Sequence, residues 1–190
     1  MSDQAGHHRS IARAVLFAAK AHDGIIREVA GDAYFNHLAE VALMCAELET
    51  FDPVLVAACY LHDTVEDTDV TETIVRAEFG DEIADLVMDV TDPPGLKGKK
   101  RRARQVSHTA AAGPRVKRLK LADKTSNVEE MIGHPAADFD VKAGTRYLKW
   151  ARRVVDVCRG LEPALEARFD ASAARLQAEI DTHSEKENRR

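Results

Sequence analysis

The run PVLVAACYL, residues 53–61, carries no charged side chain and reads as a helix buried on all sides, and it leads without a break into HDTVEDTD. His62, Asp63, Glu66 and Asp67 stand at i, i+1, i+4 and i+5, a spacing that lines them along one face if the helix continues. An imidazole and three carboxylates carried into a core are destabilising unless something cationic compensates them. A bound metal ion is the simplest compensation.

The rest of the chain bounds what can surround that motif. At 190 residues, with no Pro/Gly/Ser-rich linker, it is expected to form one domain over 1–190, with its core at about 10–160 and a helical tail at about 161–190. Aromatic residues at 5% beside abundant Ala, Leu and Val favour helices, and no segment alternates convincingly enough for a strand, so the fold class expected is all-α. No apolar run approaches the roughly 20 residues that span a bilayer, and MSDQAGHHRS lacks the order of a signal peptide. A cytosolic protein is expected. The net charge of -5 argues against wholesale wrapping of nucleic acid. Cys45, Cys59 and Cys158 lack metal or disulfide spacing and read as buried thiols.

Periodicity and punctuation place the elements. A helix is expected from about Ser10 to His22, then a polar connection from Ile25 to Asn36, then an amphipathic helix over LAEVALMCAELE. Asp52-Pro53 is an N-cap followed by proline at the first helical position. Asp69 and Glu72 read as a capping box for TIVRAEF, closed by Gly80, and residues 81–90 as another helix. Asp92-Pro93-Pro94-Gly95 is a turn, after which a basic stretch becomes helical near Lys99. Gly113-Pro114 opens a further helix, and two more run from about Phe139 to Arg159 and from about Glu162 to His183.

Spacing alone does not make His37 or Asp123 metal ligands. The segments AYFNHLAEVA, AACYLHDTVEDTDVT, FGDEIADLVMDVTD and VKRLKLADKTSNVEEM do more: in that order they resemble the hydrolase domain of the RelA/SpoT alarmone enzymes, and above all the single-domain small alarmone hydrolases that include the metazoan SpoT-type form. The likeness spans residues 10 to 160, and HD-x-x-ED followed by LAD-x-x-x-N is a specific pattern. It implies an HD-domain bundle of about eight helices with a metal site at its centre. It also implies that His37, His62, Asp63 and Asp123 are the ligands and that Glu66 and Asp67 handle the nucleophilic water. Two nitrogens and two oxygens suit Mn²⁺, with Mg²⁺, Fe²⁺ or Zn²⁺ as alternatives. Asn127, i+4 from Asp123, matches a nucleoside contact, while Arg27 and Tyr147 match substrate-facing residues.

The chain departs from the family pattern at Glu28, where a lysine is usual, and at Glu129 and Glu130, which follow the motif asparagine. Base or phosphate selectivity is therefore open to change. The run from Lys97 to Arg104 holds six cations in eight positions and reads either as a solvated helix face or as a lid that meets a polyphosphate, with nucleic-acid binding a weaker reading. A second basic strip, Arg115, Lys117, Arg118 and Lys120, offers further phosphate ligands, of which Lys120 is assigned to the substrate. His22-Asp23 also spells HD but lacks the acidic pair and reads as packing or capping. His7, His8, His108, His134 and His183 read as solvated.

The resemblance implies a metal-dependent hydrolase that cleaves (p)ppGpp at its 3′-diphosphate, giving pyrophosphate and GDP or GTP. The alternatives on the same site are (p)ppApp or the 2′-phosphate of NADPH, and, from another class, a non-catalytic alarmone-binding regulator. At this length a bifunctional synthetase-hydrolase is not expected. A small nucleotide is the expected partner, without membrane or nucleic acid, and the oligomeric state is left open.

Overall fold

The computed structural model describes residues 2–132 and 140–188, and these contain ten helices and one isolated antiparallel bridge, Ile26 to Ala33. The helices are α1 (Ser2–Ala21), α2 (Phe35–Ala46), α3 (Pro53–Leu61), α4 (Thr64–Asp67), α5 (Glu72–Phe79), α6 (Asp81–Val90), α7 (Gly98–Ala111), α8 (Pro114–Met131), α9 (Val141–Asp156) and α10 (Pro163–Asn188). The all-α expectation holds, with ten elements in place of about eight.

Helix α3 is the pillar. Leu55, Val56, Ala57, Ala58, Cys59 and Leu61 are all buried, and α1, α2, α6 and α8 pack around it. Its start is fixed as the sequence predicts: the Asp52 carboxylate accepts from the Val54 and Leu55 N–H groups at 3.1 and 3.2 Å, an N-cap worth about 1 kcal/mol. Helix α10 is less a tail than a brace, because Leu165, Phe169, Ala173, Leu176 and Ile180 bury themselves against α8 and α9. All three cysteines are free and buried.

Several local expectations are overturned. The HD motif does not ride one continuous helix: α3 stops at Leu61, His62 caps it, and Asp63, at φ -101° and ψ -4°, starts the short α4. The break re-aims Glu66 relative to His62. The Asp69–Glu72 capping box is absent, since Thr71 is the N-cap residue of α5; Thr68 organises the approach instead, its hydroxyl donating to the Thr64 carbonyl at 2.6 Å and accepting from Val70 N–H at 3.2 Å. Helix α1 begins at Ser2, well before Ser10. The expected start at Phe139, like His134, lies outside the described residues. His108 is not simply solvated, because Asp89 holds it through both its carboxylate and its carbonyl at 2.8 Å.

Candidate metal centre

Three elements deliver three side chains to one point. His37 from the first turn of α2, His62 from the end of α3 and Asp123 from the middle of α8 are all buried, and one potential ligand atom from each lies within 4.8 Å of the other two. Helix α8 makes this possible by burying a polar stripe, including Lys120, Asp123, Lys124 and Ser126, beside α2 and α9. Asp63 stands next to both imidazoles, its Oδ2 3.1 Å from His62 Nε2 and 3.5 Å from His37 Nε2, but outside that three-residue group. The same oxygen accepts from the Tyr34 hydroxyl at 2.6 Å.

The imidazoles are pre-set for a cation. His62 Nδ1 lies 2.8 Å from the Cys59 carbonyl, which can only accept, so the proton of neutral His62 sits on Nδ1 and Nε2 is bare. That Nε2 is buried without a hydrogen-bond partner, an orphaned acceptor that a metal ion would satisfy. His37 Nδ1 is engaged by a hydroxyl instead of a carbonyl, 2.8 Å from Ser126 Oγ, and its Nε2 lies 3.8 Å from Asp123 Oδ1. With a carboxylate added, this mixed nitrogen and oxygen donor set fits a borderline divalent ion.

The protonation pattern reflects the anionic surplus. Burial acts to lower the His62 pKa, yet Asp63 and then Asp123 outweigh it and hold the imidazole at about 9, so that without an ion Nε2 is protonated near neutrality toward Asp63 and an ion would have to displace that proton. Burial acts to raise Asp123, but Lys124, Lys120 and the two histidines bring it down to about 2. Lys124 Nζ is 2.8 Å from Asp123 Oδ2 and 4.5 Å from the Trp150 ring centroid, so the ammonium is held by a carboxylate on one side and an aromatic face on the other. Glu66 is shifted the opposite way: burial, followed by repulsion from Asp63, raises it, against the Asp92 N–H and Arg101. Asp67 is raised by burial and by Asp63.

A cavity of about 630 Å³ opens over this centre, lined by His37, Asp63, Glu66 and Asp123 and by the cations Arg101, Arg102, Lys120, Lys124 and Arg146. Asp67 does not line it. Arg27, Asn127, Tyr147 and Lys120 all do, in different conditions. The Tyr147 hydroxyl is buried without a partner. Lys120 Nζ donates to the Val90 carbonyl at 2.9 Å and lies 4.0 Å from Asp123 Oδ2. The Asn127 amide donates to Asp123 Oδ1 at 2.5 Å and so doubles as a support for that carboxylate. Arg27 is only 5% exposed and already faces two carboxylates: NH1 donates to Glu40 at 3.0 and 3.1 Å, while NH2 is 3.2 Å from Glu130 Oε2.

The basic strips divide. Arg115 is spent on Asp52 and Glu82, and Arg118 on Glu162, so only Lys120 of that strip reaches the cavity. In α7, Arg101 donates to Glu66 Oε2 and to Asp92 Oδ2, each at 2.5 Å, and Arg102 lines the cavity, whereas Lys97, Lys99 and Lys100 are exposed. His22 packs as expected, stacked on Tyr34 at 5.4 Å. Sequence reasoning missed Tyr34, Lys124, Arg146 and Trp150, and it gave Arg101 only as a member of the basic run. Only Lys124, adjacent to Asp123, carried a local signal.

Comparison with known proteins agrees with this geometry. The HD domain profile matches residues 14–152. The chain is 33% identical over 138 residues to guanosine-3′,5′-bis(diphosphate) 3′-pyrophosphohydrolase MESH1 of Drosophila melanogaster, covering 72% of this chain and 77% of that one. It is 34% identical to the Danio rerio protein of the same name, covering 82% and 87%. The solved structure of a metazoan ortholog of SpoT that hydrolyses ppGpp superposes with a TM-score of 0.81 at 30% identity, over 86% of this chain and 93% of that one. Residues, geometry and relatives agree that the chain belongs to the HD-domain family, alongside the MESH1 proteins.

Proposed function

We propose that this protein hydrolyses the 3′-diphosphate ester of (p)ppGpp, releasing pyrophosphate and GDP or GTP. The observation that carries the reading is the convergence of two Nδ1-capped imidazoles and Asp123 beneath a cavity walled by Glu66 and by Arg101, Arg102, Lys120, Lys124 and Arg146, with Arg27 also on its wall. His37, His62 and Asp123 would hold a divalent ion, with Asp63 as fourth ligand once Tyr34 yields its oxygen, and Mn²⁺ suits that set. When bound, such an ion supplies positive charge to phosphate oxygens and acidifies water.

The chain's own residues account for the rest. Glu66, its pKa raised by burial, accepts the proton as the water oxygen bonds to phosphorus, and the ribose 3′ oxygen departs and is protonated. Asp67, off the cavity wall, acts on Asp63 through its charge. The cations of α7, α8 and α9 meet a substrate far more anionic than a simple ester. Tyr147, with its unpartnered hydroxyl, and Asn127 and Lys120 supply further contacts, and Arg27 shapes the wall beneath them. No described helix is long and apolar enough to cross a membrane, which is compatible with the cytosolic setting proposed.

The test is product identification with Mn²⁺ across (p)ppGpp, (p)ppApp and NADPH. Pyrophosphate from (p)ppGpp with kcat/KM above the other two is expected. Preference for (p)ppApp or for release of the NADPH 2′-phosphate would overturn the substrate, and tight binding without turnover would overturn the enzyme.

A further inference from the structure

The two imidazoles facing the proposed ion are not held by equivalent means. The Cys59 carbonyl leaves His62 one tautomer. His37 is held by the Ser126 hydroxyl, which can donate or accept, so by itself it fixes nothing. What fixes it lies one bond further out: Ser126 Oγ donates to Glu40 Oε2 at 2.6 Å. Having spent its only proton there, the hydroxyl must accept from His37, which places the imidazole proton on Nδ1. Glu40 is itself held in the accepting role by Arg27, a group with donors only, whose NH1 reaches Glu40 Oε1 at 3.0 Å and Oε2 at 3.1 Å. Glu130 braces the far side of that guanidinium and is anchored by Ala30 N–H at 3.2 Å.

We infer that Glu40 and Ser126 are positioning residues that fix His37 as its Nδ1–H tautomer and so present a bare Nε2 to a divalent ion, with Arg27 and Glu130 setting the direction of the hydrogen-bond chain. The inference rests on the metal-centre reading above. It accounts for Arg27, which is almost buried and turned toward carboxylates, and for Glu130, an acid on the cavity wall. The direction of the chain is a physical quantity. An isosteric Glu40→Gln change keeps an oxygen for Arg27 and turns the amide NH₂ toward Ser126. The hydroxyl then accepts from the amide, donates to His37 Nδ1 and moves the imidazole proton to Nε2, where it blocks the ligand atom.

The experiment uses the full-length protein as Glu40→Gln, Ser126→Ala, His37→Ala and wild type, with calorimetric titration of Mn²⁺ and of Zn²⁺. Supporting orientation of a ligating histidine is typically worth about 10–100-fold in metal affinity, and losses of that size are expected for Glu40→Gln and Ser126→Ala. Nitrogen NMR of the metal-free proteins at alkaline pH gives the second readout: His37 is expected as Nδ1–H in wild type and as Nε2–H in Glu40→Gln, while His62 stays Nδ1–H in both. A merely structural role would lower the metal-free melting temperature and leave affinity and tautomer untouched. Wild-type affinity for both metals in either variant, or an unchanged His37 tautomer in Glu40→Gln, overturns the inference. If His37→Ala itself binds both metals like wild type, the metal-centre reading fails instead.

Discussion

Replacing Asp92 with Asn is the sharpest test of how α7 is held against the cavity. The Asp92 side chain is 5% exposed and accepts from Arg101 Nε and Gln105 Nε2 at 2.5 Å and from Arg104 NH1 at 3.2 Å, while its own N–H donates to Glu66 Oε1 at 2.7 Å. One carboxylate thus ties three α7 side chains to the turn that follows α6. The amide keeps the volume but removes the charge and sets an NH₂ against those donors. Hydrogen bonds to a charged group contribute about 1.5–3 kcal/mol each, and breaking a buried pair costs about 3–5 kcal/mol. Arg101 and Arg104 are 46% and 32% exposed and can turn to water, which leaves Gln105 as the group stranded outright. The loss therefore falls at the low end, about 2 kcal/mol, or about 4–8 °C in Tm for a chain of this size. Burial acts to raise the Asp92 pKa, but Arg101 and Gln105 hold it below its ordinary value. A carboxyl depressed in the folded state stabilises above the unfolded pKa and ceases to as pH falls through the folded one. The gap between wild type and Asp92→Asn should hold near neutrality and close below about pH 4. Thermal unfolding across pH, with KM for (p)ppGpp, reads it out, and KM should rise as Arg101 and Arg102 lose their seat. Equal Tm at neutral pH, or a gap that widens in acid, would refute the reasoning.

Asp123→Ala and His62→Ala should each abolish turnover and bound metal, read by elemental analysis; full metal content in either would remove that ligand from the centre. Glu66→Gln should keep metal and substrate affinity while losing most of kcat, and a change confined to KM would reassign Glu66 to binding. Neutralising Lys99, Lys100, Arg101 and Arg102 together should raise KM steeply at low salt and far less at about 1 M, where the Debye length is about 3 Å. A flat KM across the salt series would take α7 out of substrate binding.

What could be read from the sequence was what depends on neighbours along the chain. The Asp52 cap, Gly80 closing α5 and Pro114 opening α8 each act within one turn and appear where expected. The failures come where a side chain bonds back to the backbone of the preceding turn, or where a distant group wins. Thr68 bonds back to Thr64 O where the Asp69 capping box was expected, and the His62 imidazole bonds back to Cys59 O at the helix break. No local pattern announces either. The same limit explains Arg27, whose exposed-looking context IIREV gives no sign that Glu130, a hundred residues on, will close over it.

The proposed metal ligands were legible because a family pattern names them, whereas the residues proposed to orient them were not. Ser126, Glu40 and Tyr34 are ordinary in sequence and take their meaning from direction: which atom donates, which accepts, and which is left bare. Lys124 shows the same dependence. Next to Asp123 it could have pointed to solvent, yet its ammonium sits between Asp123 and Trp150, and there it offsets part of the charge that two carboxylates place beside His37 and His62. A site with that partial neutralisation has a definite electrostatic consequence. It would hold a divalent ion less tightly than Asp63 and Asp123 alone, and would leave more of that ion's charge uncompensated to act on an incoming phosphate. On the proposed metal-centre reading, the ion-binding strength and the polarising strength of the centre would in this way be set against each other by a side chain that ligates nothing.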